Sequence, residues 1–367
     1  MRCKRWITML LLAGALLSLS GCARLFVTQY RSSTPYVEAH TTEGESAGEE
    51  IRNYSALTRT LRGMVADYTT QGTLVFVDYD GIIADDLSKA CWDLRSATAL
   101  GAYCVQDITF EIEQVVAYCE ADLLITYKRS AEDVKDMYTA QTLFSVADSI
   151  VDALESGRRR FAVQMNSDAY DEGDIQSTLE ATLWAHPLLT VSVPTSEITM
   201  FSGETRQRIF EIRLNYPVTD DALSARRSAV ADAVQTLAAT LEGDALSRFG
   251  KACDAIASNV ENVSADTTAY EVLVSHRGSS LGLAMALKAV CDEIDIPCEI
   301  VSGQLDSYQH TWNIVELDGE RYHVDLSGYA GTLMLRPDRV VWGRYWWNTD
   351  LHDPCTADSI LWTSDAE

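Results

Sequence analysis

From residue 73 the apolar positions fall into two successive sets with the same order. The run Thr73-Leu74-Val75-Phe76-Val77-Asp78-Tyr79 precedes a helical pattern over 86–97. Strand-like alternation over 105–116 and a β-run over 123–127 come next. The second set starts at Arg160-Phe161-Ala162-Val163-Gln164-Met165-Asn166, with a helix over 173–185, a strand-like segment over 189–200 and a β-run over 211–216. After each set comes a long amphipathic stretch. One covers 137–154, with Leu143, Val146, Ile150 and Leu154 at helical spacing; the other covers 223–241, with Val230, Ala233, Val234, Leu237 and Leu241. Matching positions lie about 87–89 residues apart, a period that means two small modules in tandem rather than a solenoid.

The pattern changes at residue 244. A helix is expected over 245–263, and a further segment over 267–273 runs into Gly278-Ser279-Ser280. Leu283, Leu287, Val290, Cys291 and Ile294 then recur on one face of a helix that starts near Ser280 and is stopped by Pro297. Strands are expected over 298–303, 310–317 and 321–326, and Asp318-Gly319 between the last two is a hairpin signal.

That hairpin gives a testable register. With Asp318 and Gly319 as the central turn residues, Leu317 faces Glu320 and Trp312 faces Asp325. His310 and Asp325 become diagonal neighbours, roughly 5–8 Å apart at Cβ, within reach of a His–Asp hydrogen bond. Ser280, at a helix N-terminus, is the candidate nucleophile, His310 the base and Asp325 the orienting acid. Taken singly, each has a plainer reading: Ser280 as a helix cap, His310 as a hydrogen-bonded strand residue, Asp325 as a turn residue.

The N-terminus adds a location. Met1-Arg2-Cys3-Lys4-Arg5 is a basic start, and the apolar run from Trp6 to Leu19 is short for a spanning helix. Leu19-Ser20-Gly21-Cys22 resembles a bacterial lipobox, which makes residues 1–22 a signal segment and Cys22 the lipidation site. The partner implied is the membrane, reached through the lipid anchor, and the chain is expected on the extracytoplasmic side. Residues 23–55, polar and rich in Gly, Ser and Glu, read as a tether. The remaining units are 56–157, 158–243 and 244–367.

The net charge of −25 excludes nucleic acid as a partner. Of the nine cysteines, seven lie beyond Cys22; the number is odd, and no zinc-type spacing occurs, so no metal and no cofactor is expected. A Cys291–Cys298 bridge is one pairing the spacing allows.

The blocks Thr268-Ala269-Tyr270, Ser280-Leu281-Gly282-Leu283-Ala284, His310-Thr311-Trp312-Asn313 and Tyr322-His323-Val324-Asp325 resemble the transglutaminase-like superfamily, which has a papain-like fold. The match covers roughly residues 245–355. It implies a transglutaminase-like α+β domain there; with the two tandem related α+β modules read from the pattern, the whole chain is expected to be α+β. It maps His310 to the base, Asp325 to the orienting acid and Ser280 to the position of the nucleophilic cysteine; Leu283 stands where the family has tyrosine. A serine hydroxyl does not ionise as a thiol does at a helix N-terminus. The leading expectation is therefore a catalytically inactive domain, a pseudoenzyme that binds an extracytoplasmic peptide or cell-wall ligand, with Trp312 as a candidate binding residue. The alternative is an active serine-dependent amide hydrolase or acyltransferase. A third reading gives the binding role to the tandem modules.

Overall fold

The computed structural model describes residues 50–258 and 260–363. The expected signal segment, the lipidation site at Cys22 and most of the tether lie outside the described residues. Among the described residues no helix is long and apolar enough to cross a membrane.

The first module runs β1 (Glu50–Ile51), α1 (Tyr54–Ala66), β2 (Gln71–Phe76), α2 (Ile83–Ala97), α3 (Ala99–Cys104), β3 (Val105–Val115) and β4 (Tyr118–Tyr127). Its sheet has the order β1-β2-β4-β3, with β1 parallel to β2 and the other pairs antiparallel. Residues 50–55, assigned to the tether by composition, are part of this fold. Ile51 is fully buried, and Asn53 caps α1 by accepting from the amide of Ala56. One apolar residue before a cap is too small a signal to outweigh the polar run preceding it.

The second module comes after the short helix α4 (Ala131–Lys135). It comprises β5 (Tyr138–Ala140), α5 (Leu143–Glu155), β6 (Arg160–Met165), α6 (Glu172–Ala185), β7 (Thr195–Ser202) and β8 (Arg208–Asn215), in the sheet order β5-β6-β8-β7. The two modules are related, but their phase differs from the sequence pattern. Helix α5 opens the second module, as α1 opens the first. Val146, Ile150 and Leu154 of α5 pack on Phe161, Val163, Phe210 and Ile212, just as Leu57, Leu61 and Val65 pack on Leu74, Phe76, Leu123 and Ile125. At the joint between the modules Glu211 is buried, with Arg129 and Arg213 each 2.9 Å from its Oε2.

Helix α7 (Asp220–Ala238) likewise belongs to the C-terminal unit rather than to the second module. Leu223, Val230 and Val234 are in one core with α8 (Ala245–Ala257), α9 (Ala269–Ser275) and α10 (Ser280–Glu293). The strands β9 (Glu261–Asn262) and β10 (Arg277–Gly278) pair in parallel between these helices. Helix α10 is apolar nearly all round, with Leu281 through Leu287 buried, which is the pattern of a helix enclosed by the core. It backs an antiparallel sheet of order β13-β12-β11-β15, made from β11 (Cys298–Leu305), β12 (Tyr308–Leu317), β13 (Glu320–Val324) and β15 (Tyr345–Trp347). The elements β14 (Thr332–Leu335), α11 (Asp338–Val341) and β16 (Ile360–Thr363) complete the unit. The chain is α+β: two tandem related modules, then a helix-backed α+β unit.

An ion network ties the last segment to this sheet. Glu299 on β11 meets His352 Nδ1 at 2.8 Å and Arg321 Nη2 on β13 at 2.7 Å. The His352 contact, then the Arg321 guanidinium, hold its carboxyl at about 2, against an ordinary value of 4.5. A depressed folded value means stabilisation that is present above pH 4.5 and is lost as pH falls toward 2. Glu299→Gln is therefore expected to melt below the wild type at neutral pH, with the gap closing across that window. Melting curves from pH 7 to pH 2 check this; a gap that does not change with pH refutes it.

Candidate acyl-transfer site

Ser279, not Ser280, caps α10. Its Oγ accepts from Gly282 N at 3.3 Å and from Thr267 N at 3.1 Å, while Ser279 N donates to Thr267 Oγ1 at 2.9 Å. This reciprocal latch clamps the segment before α9 to the start of α10. Ser280 is thereby the first helical residue, half-buried, and its hydroxyl has no hydrogen-bond partner among the described residues. The latch needs Gly282, because a Cβ there would stand 2.0 Å from Thr267 Oγ1. Gly282→Ala is expected to destabilise the chain by about 2–3 kcal/mol through overpacking, despite the better helix propensity of alanine. Urea unfolding measures it, and a loss below about 0.5 kcal/mol would show that the latch yields.

The hairpin has the expected register: Leu317 faces Glu320 and Asn313 faces Val324, around Asp318 and Gly319 with φ of 53° and 82°. Both central residues are left-handed, as a two-residue primed turn requires. One step further along, His310 Nε2 lies 2.7 Å from Asp325 Oδ2. The other contacts of that carboxylate are Ser327 N at 2.9 Å and Ser327 Oγ at 2.7 Å on Oδ1, and the Tyr345 hydroxyl at 2.8 Å on Oδ2. Burial pushes the Asp325 carboxyl up, but the bonds from His310 and Ser327 outweigh it and hold the group below its ordinary value. With Nε2 committed to Asp325, the ring's Nδ1 has no partner among the described residues.

Alternation along β12 places Asn313 on the face covered by α10, where its Nδ2 donates to Ala284 O at 3.0 Å. His310 and Trp312 project to the other face. Cys291 adjoins Cys298, which pairs with Val315. Helix α10 and strand β12 therefore run in the same direction, and Ser280 lies at the His310 end. The structure joins His310 to Asp325; Ser280 makes no hydrogen bond to either.

A second cluster lies deeper on the His310 face. Trp312 Nε1 donates to His323 Nδ1 at 2.9 Å, and His323 Nε2 stands 2.8 Å from Asp338 Oδ1. The amide of Cys355 donates to the same oxygen at 3.3 Å, and the ligand-type atoms of His323, Asp338 and Cys355 all lie within 4.8 Å of one another. The sequence patterns gave His323 no role and missed Asp338 and Cys355. Asp338 opens the four-residue helix α11 and Cys355 lies in a loop, and no spacing rule connects them.

This cluster corrects the leading expectation. Reading Ser280 as the mark of a pseudoenzyme assumed that no cysteine in the C-terminal unit stands beside a histidine and an acid. Cys355 does. The identification of the chain as a superfamily member stripped of its thiol, and the inactive binding-only function drawn from it, fall with that assumption. The lipoprotein and membrane description gains no support from the described residues.

The cluster's resting state is nevertheless clear. The indole N–H points at His323 Nδ1, so the ring proton is on Nε2 and is given to Asp338. Burial lowers the His323 pKa and keeps the ring neutral. Burial, with Asp338 next, pushes the Cys355 thiol up to about 12. Neither ring nitrogen offers a lone pair to the thiol proton or to a metal, so the donor set does not fit a metal ion.

Trp312 is also corrected as a binding residue. It is 1% exposed, packed edge-on against Tyr345 and Trp347 with centroids 5.1 and 6.1 Å away. A residue shared between strand core and hydrogen bond has no face left for a ligand. Trp342 and Trp346, by contrast, are exposed. The seven described cysteines are free thiols, so Cys291 and Cys298 are unbridged.

No family model and no curated protein matches this chain. Among solved structures it is similar to a TGase at 10% identity, over 56% of this chain and 61% of that one, with a TM-score of 0.27. It is also similar to a candidate cysteine protease from Cytophaga hutchinsonii, at 13% identity over 47% and 77% of the two chains with a TM-score of 0.26. A candidate protease from Parabacteroides distasonis aligns at 13% identity over 59% and 51%, with a TM-score of 0.22. The chain thus spans under two thirds of the TGase and of the Parabacteroides protein, and likenesses this weak carry no argument about its chemistry.

Proposed function

We propose that the C-terminal unit is an acyl-transfer catalyst acting on an amide, as a hydrolase or an acyltransferase, with Ser280 as nucleophile, His310 as base and Asp325 as orienting acid. The observation that carries this reading is the 2.7 Å bond between His310 Nε2 and Asp325 Oδ2, which leaves Nδ1 as the ring's lone pair. Ser280 Oγ attacks the carbonyl carbon and its proton passes to Nδ1. The oxyanion is held by helix-start amides. Those of Ser280 and Leu281 have no intrahelical acceptor, whereas that of Gly282 is taken by Ser279. Collapse breaks the C–N bond, and His310 returns the proton to the leaving amine. Water or a second amine then attacks the ester at Ser280, again giving its proton to His310, and the serine is released.

The same proposal puts the catalyst outside the cytoplasm, on a lipid anchor at Cys22. An extracytoplasmic peptide or cell-wall polymer is the acyl donor in keeping with that setting.

The test assays the purified full-length chain for amide hydrolysis and amine incorporation on pooled peptides, beside Ser280→Ala and Cys355→Ala. Activity lost in Ser280→Ala and kept in Cys355→Ala supports the reading. The reverse pattern moves the nucleophile to Cys355, and a silent wild type sinks the proposal. Radiolabelled fatty acid incorporated by the wild type but not by Cys22→Ser tests the anchor.

A further inference from the structure

We propose that Tyr345 is a positioning residue that fixes the proton arrangement of the His310–Asp325 pair. This inference rests on the acyl-transfer reading for its consequence, but not for its physical test.

A carboxylate offers about four lone-pair sites. Asp325 fills all four: two with Ser327, from its own turn, and two on Oδ2 with His310 Nε2 and the Tyr345 hydroxyl. The Ser327 contacts are local and come with the turn. Tyr345 comes from β15, the far edge of the sheet, where it pairs with Leu305 across β11. It is buried, with its ring edge-on to Trp312 and its centroid 6.2 Å from that of His310. Its hydroxyl is thus delivered to Oδ2 by tertiary structure alone.

The second donor on Oδ2 has a direct effect. It stabilises the charged carboxylate and pins Oδ2 in the one orientation where it accepts from His310 Nε2. With the acceptor held there, the ring proton is kept on Nε2 and the lone pair on Nδ1, the atom the reaction uses. Tyr345 does not exchange roles with its partner: burial, then the neighbouring Asp325 charge, raise its pKa, so it remains a phenol that donates. The charged groups acting on this tyrosine are Asp325, Arg336 and Arg344, and those on Asp325 are led by His310. Neither arginine lies on the strands that carry His310 and Asp325.

Tyr345→Phe keeps the ring and its packing and removes only the hydroxyl. The full-length protein and this variant are compared by carbon-13 carboxyl titration of Asp325 and nitrogen-15 shifts of the His310 ring. Tyr345→Phe is expected to move the Asp325 midpoint upward and to mix the His310 tautomers, with the melting profile otherwise cooperative. Turnover is expected to fall roughly tenfold in kcat with KM unchanged, and the acid limb of its pH profile to move. An unchanged Asp325 midpoint and an unchanged tautomer overturn the proposal. Shifted resonances in a protein that is silent on every acyl donor uphold the role of Tyr345 and count against the proposed reaction instead, so the two failures are distinguishable.

Discussion

Under the proposed reaction, replacing His310 by alanine is expected to lower kcat by about 10³–10⁴-fold while the fold persists. The residue is small beside the core it borders, and Asp325 keeps its bonds from Ser327 and Tyr345 when the ring is gone. The stability cost should therefore be about 1–2 kcal/mol. The His323 ring cannot take over the base role, because both of its nitrogens are engaged. Asp325→Asn is the sharper companion. An asparagine amide can turn its N–H₂ toward His310 Nε2, which then has to accept, driving the ring proton to Nδ1 and removing the lone pair from the reacting side. That tautomer reversal is expected to cost up to about 10⁴-fold with the geometry intact. Because the groups act as a unit, Ser280→Ala combined with His310→Ala should be little worse than either alone. Steady-state kinetics of the three single variants and the double variant decide the matter. Losses that multiply would mean the residues do not share one step, and wild-type rates in His310→Ala would end the proposal.

The parts of this site that the sequence reveals are the ones set by local rules. Asp318-Gly319 fixes a two-residue turn, the turn fixes the register, and the register puts His310 beside Asp325. Helix α10 is announced by its apolar spacing and by Pro297. The near miss is the cap. Two adjacent serines compete for one position, and Ser279 takes it because Thr267 is there to bond it, a partner twelve residues back that no helix rule includes. Tyr345, Asp338 and Cys355 were not legible, since each reaches the site from a short element or loop beyond the hairpin, by a route only the folded chain defines. The phase of the tandem modules was hidden for another reason. An amphipathic helix such as α5 declares that it has an apolar face, not whether the sheet it covers lies before or after it in the chain. The two-residue strand β1 and the three-residue strand β5, which mark the true starts, are too short for any periodicity.

Trp312→Ala is expected to be among the most damaging single substitutions in the unit, at about 3–5 kcal/mol from the lost burial and the cavity. The indole is 1% exposed and is packed among Val301, Ile314, Val341, Tyr345 and Cys355. It also holds the two His–Asp pairs in a fixed relation. Its ring stacks beside His310 with centroids 6.2 Å apart, and its N–H determines which nitrogen of His323 carries the proton. Trp312→Phe separates these effects. Phenylalanine keeps most of the apolar volume and loses the donor, leaving His323 Nδ1 buried without a partner, at a cost of about 1–3 kcal/mol. The resulting order, alanine worse than phenylalanine and both worse than wild type, is read from urea unfolding at neutral pH. If the residue were a ligand-facing aromatic, both variants would unfold within about 0.5 kcal/mol of the wild type and only ligand affinity would fall. If packing alone mattered, the phenylalanine variant would sit near the wild type and the His323 proton would be free to move between its nitrogens. The hydrogen bond at 2.9 Å argues for neither, because a buried imidazole nitrogen that loses its only donor gains no water in return.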